Sequence, residues 1–132
     1  MDEKSRKLFE RFPSIFPPEA IREDLTKSCL AWGCEVGPGW FPIVEDMLKK
    51  MSSVAIRPQL LQLEQIKEKF GGLRVYYSAA AAIEKQVDSI VAKAEDAAAR
   101  TCEHCGQPNT KEQHHVGYNN ICEACASHKY QW

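Results

Sequence analysis

The chain has 132 residues, of which 44% are hydrophobic and 27% charged, the balance of one ordinary soluble domain with a small appendage. Its formal charge is −1, and residues 101–132 contain only two basic residues against three acidic ones. Binding a phosphate backbone requires clustered Lys and Arg, so the composition disfavours a nucleic-acid partner. No apolar run is long enough to span a bilayer, and the amino terminus has no apolar export signal. We therefore expect a cytoplasmic protein without a membrane partner.

The first half of the chain is predicted to be helical. Residues 8–12 predict a short amphipathic helix that ends at Pro13, because the residue before a proline avoids helical geometry. A second helix is predicted to start at Pro17-Pro18, and from Glu19 apolar residues recur at near-helical spacing until Trp32-Gly33 ends the run. After a turn at residues 37–39, the clearest amphipathic helix starts at Trp40, and its predicted buried face consists of Ile43, Val44, Met47, Leu48 and Met51.

A β-hairpin is predicted around Gly71-Gly72. Residues 73–78 alternate between apolar and polar side chains, which is the two-residue period of a half-buried strand. Residues 60–70 fit either period, and the glycine pair favours their assignment as the first strand. Lys67, Lys69 and Arg74 would lie near this turn as the only local concentration of basic residues.

A long alanine-rich helix is predicted from Ala80 to Arg100. Its apolar stripe favours packing against the hairpin, and an exposed partner-binding helix is the alternative. The stripe comprises Ile83, Val87, Ile90, Val91, Ala94 and Ala98.

Two C-x-x-C pairs, Cys102 with Cys105 and Cys122 with Cys125, are separated by sixteen residues. This spacing is typical of a structural zinc site, because each short turn can direct two sulfurs at one tetrahedral ion. Four thiolates fill the coordination shell of Zn²⁺, so we expect one structural zinc ion rather than a catalytic one. Two disulfides are the alternative, but they would require an oxidising compartment. Cys29 and Cys34 are expected to be small buried hydrophobic residues.

The expected fold class is α+β, with helices packed on a β-hairpin and a carboxyl-terminal module built on the four paired cysteines. Residues 1–100 form the predicted helical and hairpin domain, and residues 101–132 form the zinc-binding module. No flexible linker separates the two, so we expect the module to be integrated with the domain. The module is either a treble clef, with the second cysteine pair in the first turn of a helix, or a plain two-knuckle zinc ribbon.

The segment between the cysteine pairs resembles a compressed HNH endonuclease. His114 and His115 are followed by Asn119 and Asn120. The resemblance implies that His115 would be the general base and that His114 with Asn119 or Asn120 would lie near a divalent cation. Three residues separate His115 from Asn119, no Asp lies near, and Ala126 follows Cys125 where the family has a histidine. A degenerate metal-dependent nuclease is therefore an alternative function.

A wider resemblance covers the chain from about residue 37 to the end. The sequence Lys-Glu-Lys-Phe-Gly-Gly-Leu-Arg at residues 67–74, followed by Tyr76 and later by the cysteine pairs, is similar to that of small phage and prophage zinc-ribbon proteins of unassigned function. The resemblance implies a viral or mobile-element origin and residence in the bacterial host cytosol.

The favoured function is a small non-catalytic zinc-binding protein that contacts a host or viral protein as an inhibitor or modulator. Near-zero net charge and the lack of a recognisable catalytic arrangement favour it over an enzyme. A second alternative is a nucleic-acid-binding adaptor that uses Lys67, Lys69 and Arg74, with Tyr76 as a stacking surface.

Overall fold

The computed structural model describes residues 2–17, 30, 33–57, 59–109 and 120–126. Its fold is α+β, as predicted, with a three-stranded sheet, helices and a carboxyl-terminal cysteine cluster. None of the helices within the described ranges is long and apolar enough to cross a membrane. The elements are α1 (Glu3–Glu10), β1 (Cys34–Glu35), a 3-10 helix (Pro38–Trp40), α2 (Phe41–Val54), β2 (Leu61–Lys69), β3 (Gly72–Ala79), α3 (Glu84–Ala99) and α4 (Glu123–Ala126).

The sheet has the strand order β1-β2-β3. Strands β2 and β3 form the predicted antiparallel hairpin. Strand β1 pairs in parallel with β2, with Cys34 opposite Ile66 and Glu35 opposite Lys67. Sequence analysis missed β1, because two residues are too few to show a strand period. Cys34 is buried as expected, and burial raises the pKa of its thiol to about 12.

The core lies between the sheet and the paired helices α2 and α3. The predicted apolar face of α2 is buried except for the half-buried Ile43. The stripe of α3 packs against β3 and α2, so the packing interpretation of that helix is confirmed. Helix α3 begins at Glu84 rather than at the predicted Ala80, because residues 81–83 form a turn. The predicted second helix, from Pro17-Pro18 to the break at Trp32-Gly33, lies mostly outside the described residues, of which Leu30 is fully buried.

The hairpin turn lies one residue earlier than the Gly71-Gly72 pair predicted from the sequence. Lys69 pairs with Gly72, so Phe70 and Gly71 form the two-residue loop. Both have positive φ, 53° and 81°, as the favoured type I′ hairpin turn requires. Glycine adopts this geometry freely, whereas a side-chain-bearing residue pays about 1–2 kcal/mol. The first loop position is nevertheless a phenylalanine, and Phe70 is 65% exposed.

Replacing Phe70→Asn should raise the free energy of unfolding by about 1 kcal/mol, because Asn-Gly is a preferred pair for this turn. Denaturant unfolding of the two proteins measures the change. Phe70→Ala is the matched control, since alanine keeps the penalty of the left-handed backbone and should give no such gain. A lower free energy of unfolding for Phe70→Asn would show that the packing of the ring outweighs the strain.

Candidate metal centre

Residues 101–108 form a tight knuckle that carries the first cysteine pair. Thr101 and Pro108 form an antiparallel bridge, and the Cys102 N–H donates to the Gln107 carbonyl at 2.8 Å. Inside the loop the Gly106 N–H donates to the Cys102 carbonyl at 2.9 Å, and Gly106 has a φ of 81°. This positive φ turns the chain back immediately after Cys105.

The second pair lies at the start of α4. Cys122 directly precedes the helix, Cys125 lies within it, and the Ala126 N–H donates to the Cys122 carbonyl at 2.9 Å. One helical turn therefore separates the two residues, which places both side chains on the same side of the backbone. The structure thus brings together all four cysteines that the sequence pattern selected.

The four Sγ atoms lie within 4.8 Å of one another, and those of Cys105 and Cys122 are 3.7 Å apart. The thiols are free rather than joined in disulfides. A tetrahedral ion with Zn–S bonds of about 2.3 Å holds its sulfurs about 3.8 Å apart. The donor set could therefore hold a thiophilic metal ion. Within the described ranges it is the only group of three or more His, Cys, Asp or Glu side chains that could do so.

The thiols differ in their readiness to ionise. Burial opposes ionisation of Cys102, but backbone N–H donors, chiefly those of Cys105 and Cys122, outweigh it and lower the pKa of this thiol to about 7. The two N–H groups lie 3.5 and 3.3 Å from its sulfur. Burial and hydrogen bonding to neighbouring thiols raise the pKa of Cys125. A bound divalent cation reverses that penalty, since coordination deprotonates a thiol.

The knuckle is attached to the segment between β1 and α2. The Gly39 N–H donates to the Glu103 carbonyl at 2.7 Å, and the Gly37 N–H donates to the Glu103 carboxylate at 2.7 Å. The fully buried Trp40 ring donates its Nε1–H to the Thr101 carbonyl at 2.9 Å. These bonds join the metal centre to the main core, because Trp40 belongs to the core cluster.

Asn120 makes a second attachment, to the end of α3. Its Nδ2 group donates to the carbonyls of Ala98 and Ala99 at 2.9 and 3.1 Å, and its Oδ1 accepts from Asn109 Nδ2 at 2.6 Å. The backbone carbonyl of Asn120 also accepts from the Glu103 N–H at 2.8 Å. The last carbonyls of a helix have no i+4 partner, and here Asn120, from a distant segment, supplies donors to two of them in addition to the Thr101 N–H that reaches the Ala98 carbonyl at 3.1 Å.

Of the residues of the nuclease alternative, the structure describes only Asn120. Asn120 is fully buried, and its amide is bonded at both ends, so it is placed to cap α3 rather than to hold an ion at a surface. His114, His115 and Asn119 lie outside the described residues. Sequence reasoning missed the roles of Gly37, Gly39 and Trp40 at the knuckle. The only signal for these contacts in the sequence was the pair of glycines on either side of Pro38. The pair indicated a turn, but glycines are also found where another segment of backbone approaches closely.

Comparisons of this chain with protein-family models, with curated proteins and with solved structures found no match.

Replacing Gly39→Ala should disrupt the knuckle. The added Cβ would lie 2.3 Å from the Cys102 carbonyl oxygen and 2.5 Å from the Gly106 nitrogen, and both are backbone atoms. We expect a loss of about 3 kcal/mol in the free energy of unfolding and weaker metal retention. Gly72→Ala is the control, because its Cβ would come closest to the flexible end of the Arg74 side chain, at 3.2 Å, and would meet backbone only at the ordinary contact distance of 3.5 Å from the Lys69 carbonyl oxygen. Equal stability of the two variants would contradict the close contact.

Replacing Asn120→Ala should lower the free energy of unfolding by about 1–3 kcal/mol, because three side-chain hydrogen bonds between this segment, the end of α3 and Asn109 are lost. Thermal unfolding in the presence of metal measures the effect. Gln62→Ala, at an exposed position of β2, is a comparison that should change stability little. If Asn120→Ala unfolded like the parent protein, the amide would not fasten the tail to α3.

Proposed function

We propose that this protein is a small non-catalytic zinc-binding module that works by contact with another protein. The observation that carries the proposal is the donor set of four cysteine thiols gathered within 4.8 Å. Four sulfur ligands complete the tetrahedral shell that Zn²⁺ prefers, which leaves no position for a metal-bound water or substrate. Such an ion stabilises structure and does not act as a Lewis acid.

The surroundings of the cysteines support a structural role for the ion. The segments that carry them are fastened by backbone and amide hydrogen bonds to Gly39, Trp40 and the end of α3. A metal that cross-links Cys102 and Cys105 to Cys122 and Cys125 would complete this set of attachments. Few large aliphatic side chains lie in this part of the chain, so metal binding would supply much of its folding free energy.

The proposed class of zinc module is the treble clef. A knuckle at residues 101–108 supplies one pair of thiols, and the first turn of α4 supplies the other, which is the distribution of ligands in that class. A zinc ribbon would take its second pair from another knuckle. The helix at Glu123–Ala126 favours the treble clef over the ribbon.

The partner in this proposal is a host or viral protein, and the activity is inhibition or modulation of that partner. The similarity to small phage and prophage proteins supports a viral origin and a place in the host cytosol. The nuclease alternative receives no support from Asn120, since that residue is committed to capping α3.

The purified, reduced protein should contain one zinc ion per chain, measured by elemental analysis. Cys102→Ser should abolish stoichiometric zinc binding and expose the carboxyl-terminal segment to proteolysis. Cys34→Ser should retain the ion, because Cys34 lies in the core, where its strand pairs with β2. Cys34→Ser thereby controls for the loss of a buried thiol. A metal-free protein with a protease-resistant tail would overturn the proposal.

A non-catalytic module should not nick plasmid DNA with Mg²⁺ or Mn²⁺, and capture from host lysate after nuclease treatment should return one dominant protein. His115→Ala is the diagnostic variant for the alternative. Metal-dependent nicking that this variant loses would replace the contact function by a nuclease.

A further inference from the structure

The exposed side of the hairpin carries cations and aromatic rings together. Lys67, Lys69, Arg74 and Tyr76 occupy alternate positions of β2 and β3, and Phe70 lies at the tip. We call these five residues the cation–aromatic face. The register places Lys67 opposite Arg74 and Tyr76 opposite Gln65, so these side chains share one side of the sheet. The side chains of Ile66 and Leu73, at intervening positions, are buried in the core.

Each exposed ring of this face has a lysine beside it. The Lys67 ammonium lies 5.7 Å from the centre of the Tyr76 ring, and the Lys69 ammonium lies 5.6 Å from that of Phe70. The side chains of Phe70 and Tyr76 are 65% and 42% exposed. A cation beside an exposed ring provides a surface on which a base can stack while its phosphate is neutralised.

No carboxylate in the described part of the chain lies within ion-pair distance of the cations of the face. Neither lysine nor Arg74 forms an ion pair there. Lys67 and Arg74 are cross-strand partners, and like charges directly opposite each other destabilise a sheet. An anion bound between them would remove that repulsion.

Three carboxylates of the sheet near the face accept other hydrogen bonds, and a fourth, Glu95 of α3, lines the same cavity as Phe70 and Arg74. Glu68 accepts from the Gly71 N–H at 2.7 Å, and Glu64 accepts from the Ser78 hydroxyl at 2.7 Å. Glu35, opposite Lys67 on β1, accepts from the Gln65 amide at 3.3 Å. With Glu68 at the turn, Glu35 opposite Lys67 and Glu64 farther along β2, the space for an anion is confined to a short part of the face, which fits a short stretch of nucleotides rather than a long polyanion track.

The strained turn is a second, independent indication. A phenylalanine with φ of 53° costs stability that an asparagine or a glycine would not, yet its ring stands exposed at the tip. Backbone strain of this kind is found where a side chain must be presented to a ligand.

We infer that the cation–aromatic face binds a short single strand of nucleic acid, with bases stacked on Tyr76 and Phe70 and phosphates at Lys67, Lys69 and Arg74. This activity goes beyond the proposed function and uses residues other than the four cysteines. An acidic polypeptide could satisfy the cations, but it would leave the paired rings and the strained tip without a role.

The test uses fluorescence anisotropy of a fluorescein-labelled oligothymidine with the zinc-loaded protein, whose metal content is measured in the same sample. Binding should weaken with salt, with a slope of log K against log salt of about −2, as expected for three phosphate contacts on a single strand. Lys67→Gln should reduce the size of that slope by about 0.7. Lys93→Gln, an equal charge change on the exposed side of α3, should leave it unchanged.

The ring variants test stacking. Tyr76→Ala should weaken binding about 5- to 150-fold, and Tyr76→Phe should restore it. Phe70→Asn should also weaken binding at least about fivefold, although it is expected to fold more stably than the parent. A more stable protein that binds less tightly excludes unfolding as the cause.

Three results would overturn the inference. These are no binding of oligothymidine at low salt by the zinc-loaded protein, equal binding by the Tyr76→Ala variant, and competition by poly-glutamate as effective as that by oligothymidine. The last would reassign the face to an acidic protein partner. Absence of zinc with intact oligothymidine binding would instead refute only the proposed function.

Discussion

The structure depends on the close approach of Gly39 to the cysteine knuckle. The space that a Cβ of Gly39 would need is already occupied by backbone atoms of Cys102, Glu103 and Gly106. Only a residue without a side chain lets the two segments come near enough for the Gly39 N–H to reach the Glu103 carbonyl. The same approach brings the Trp40 Nε1–H within hydrogen-bond distance of the Thr101 carbonyl. Contacts with the core therefore fix the position of the knuckle that carries Cys102 and Cys105.

Local patterns in the sequence were sufficient for much of the fold. The spacing of apolar residues predicted α2 and α3, alternation predicted the hairpin, and the two C-x-x-C pairs predicted the thiol cluster. Each of these signals is contained within a short stretch of chain. The two-residue strand β1, the contact of Gly39 and the cap by Asn120 escaped, because each depends on a partner distant in the sequence. The sequence of a short segment does not show which distant residue it will contact.

The hairpin turn between β2 and β3 shows that a sequence motif can predict a turn correctly and still misplace it by one residue. Two adjacent glycines indicated the hairpin, but strand pairing selected Phe70 and Gly71 for the loop and left Gly72 in β3. The bulge between Leu63 and Gln65 shifts the pairing along β2, and the buried positions Leu63, Ile66 and Leu73 then determine which side chains face the core. The register of the strands therefore decides which two residues form the loop, and it places Phe70 at the tip.

The attachments of the knuckle also impose an order of assembly. Trp40 and Thr101 are 61 residues apart, and Gly37 and Glu103 are 66 apart, so both contacts close long loops. Such contacts form slowly, because the entropy of closure is lost before they contribute any stability. The hairpin and α3 are local structures that can form earlier. If the cysteines coordinated a metal before these loops closed, the segments that carry them would still be free to move. The ordered metal centre would then be the last part of the molecule to form.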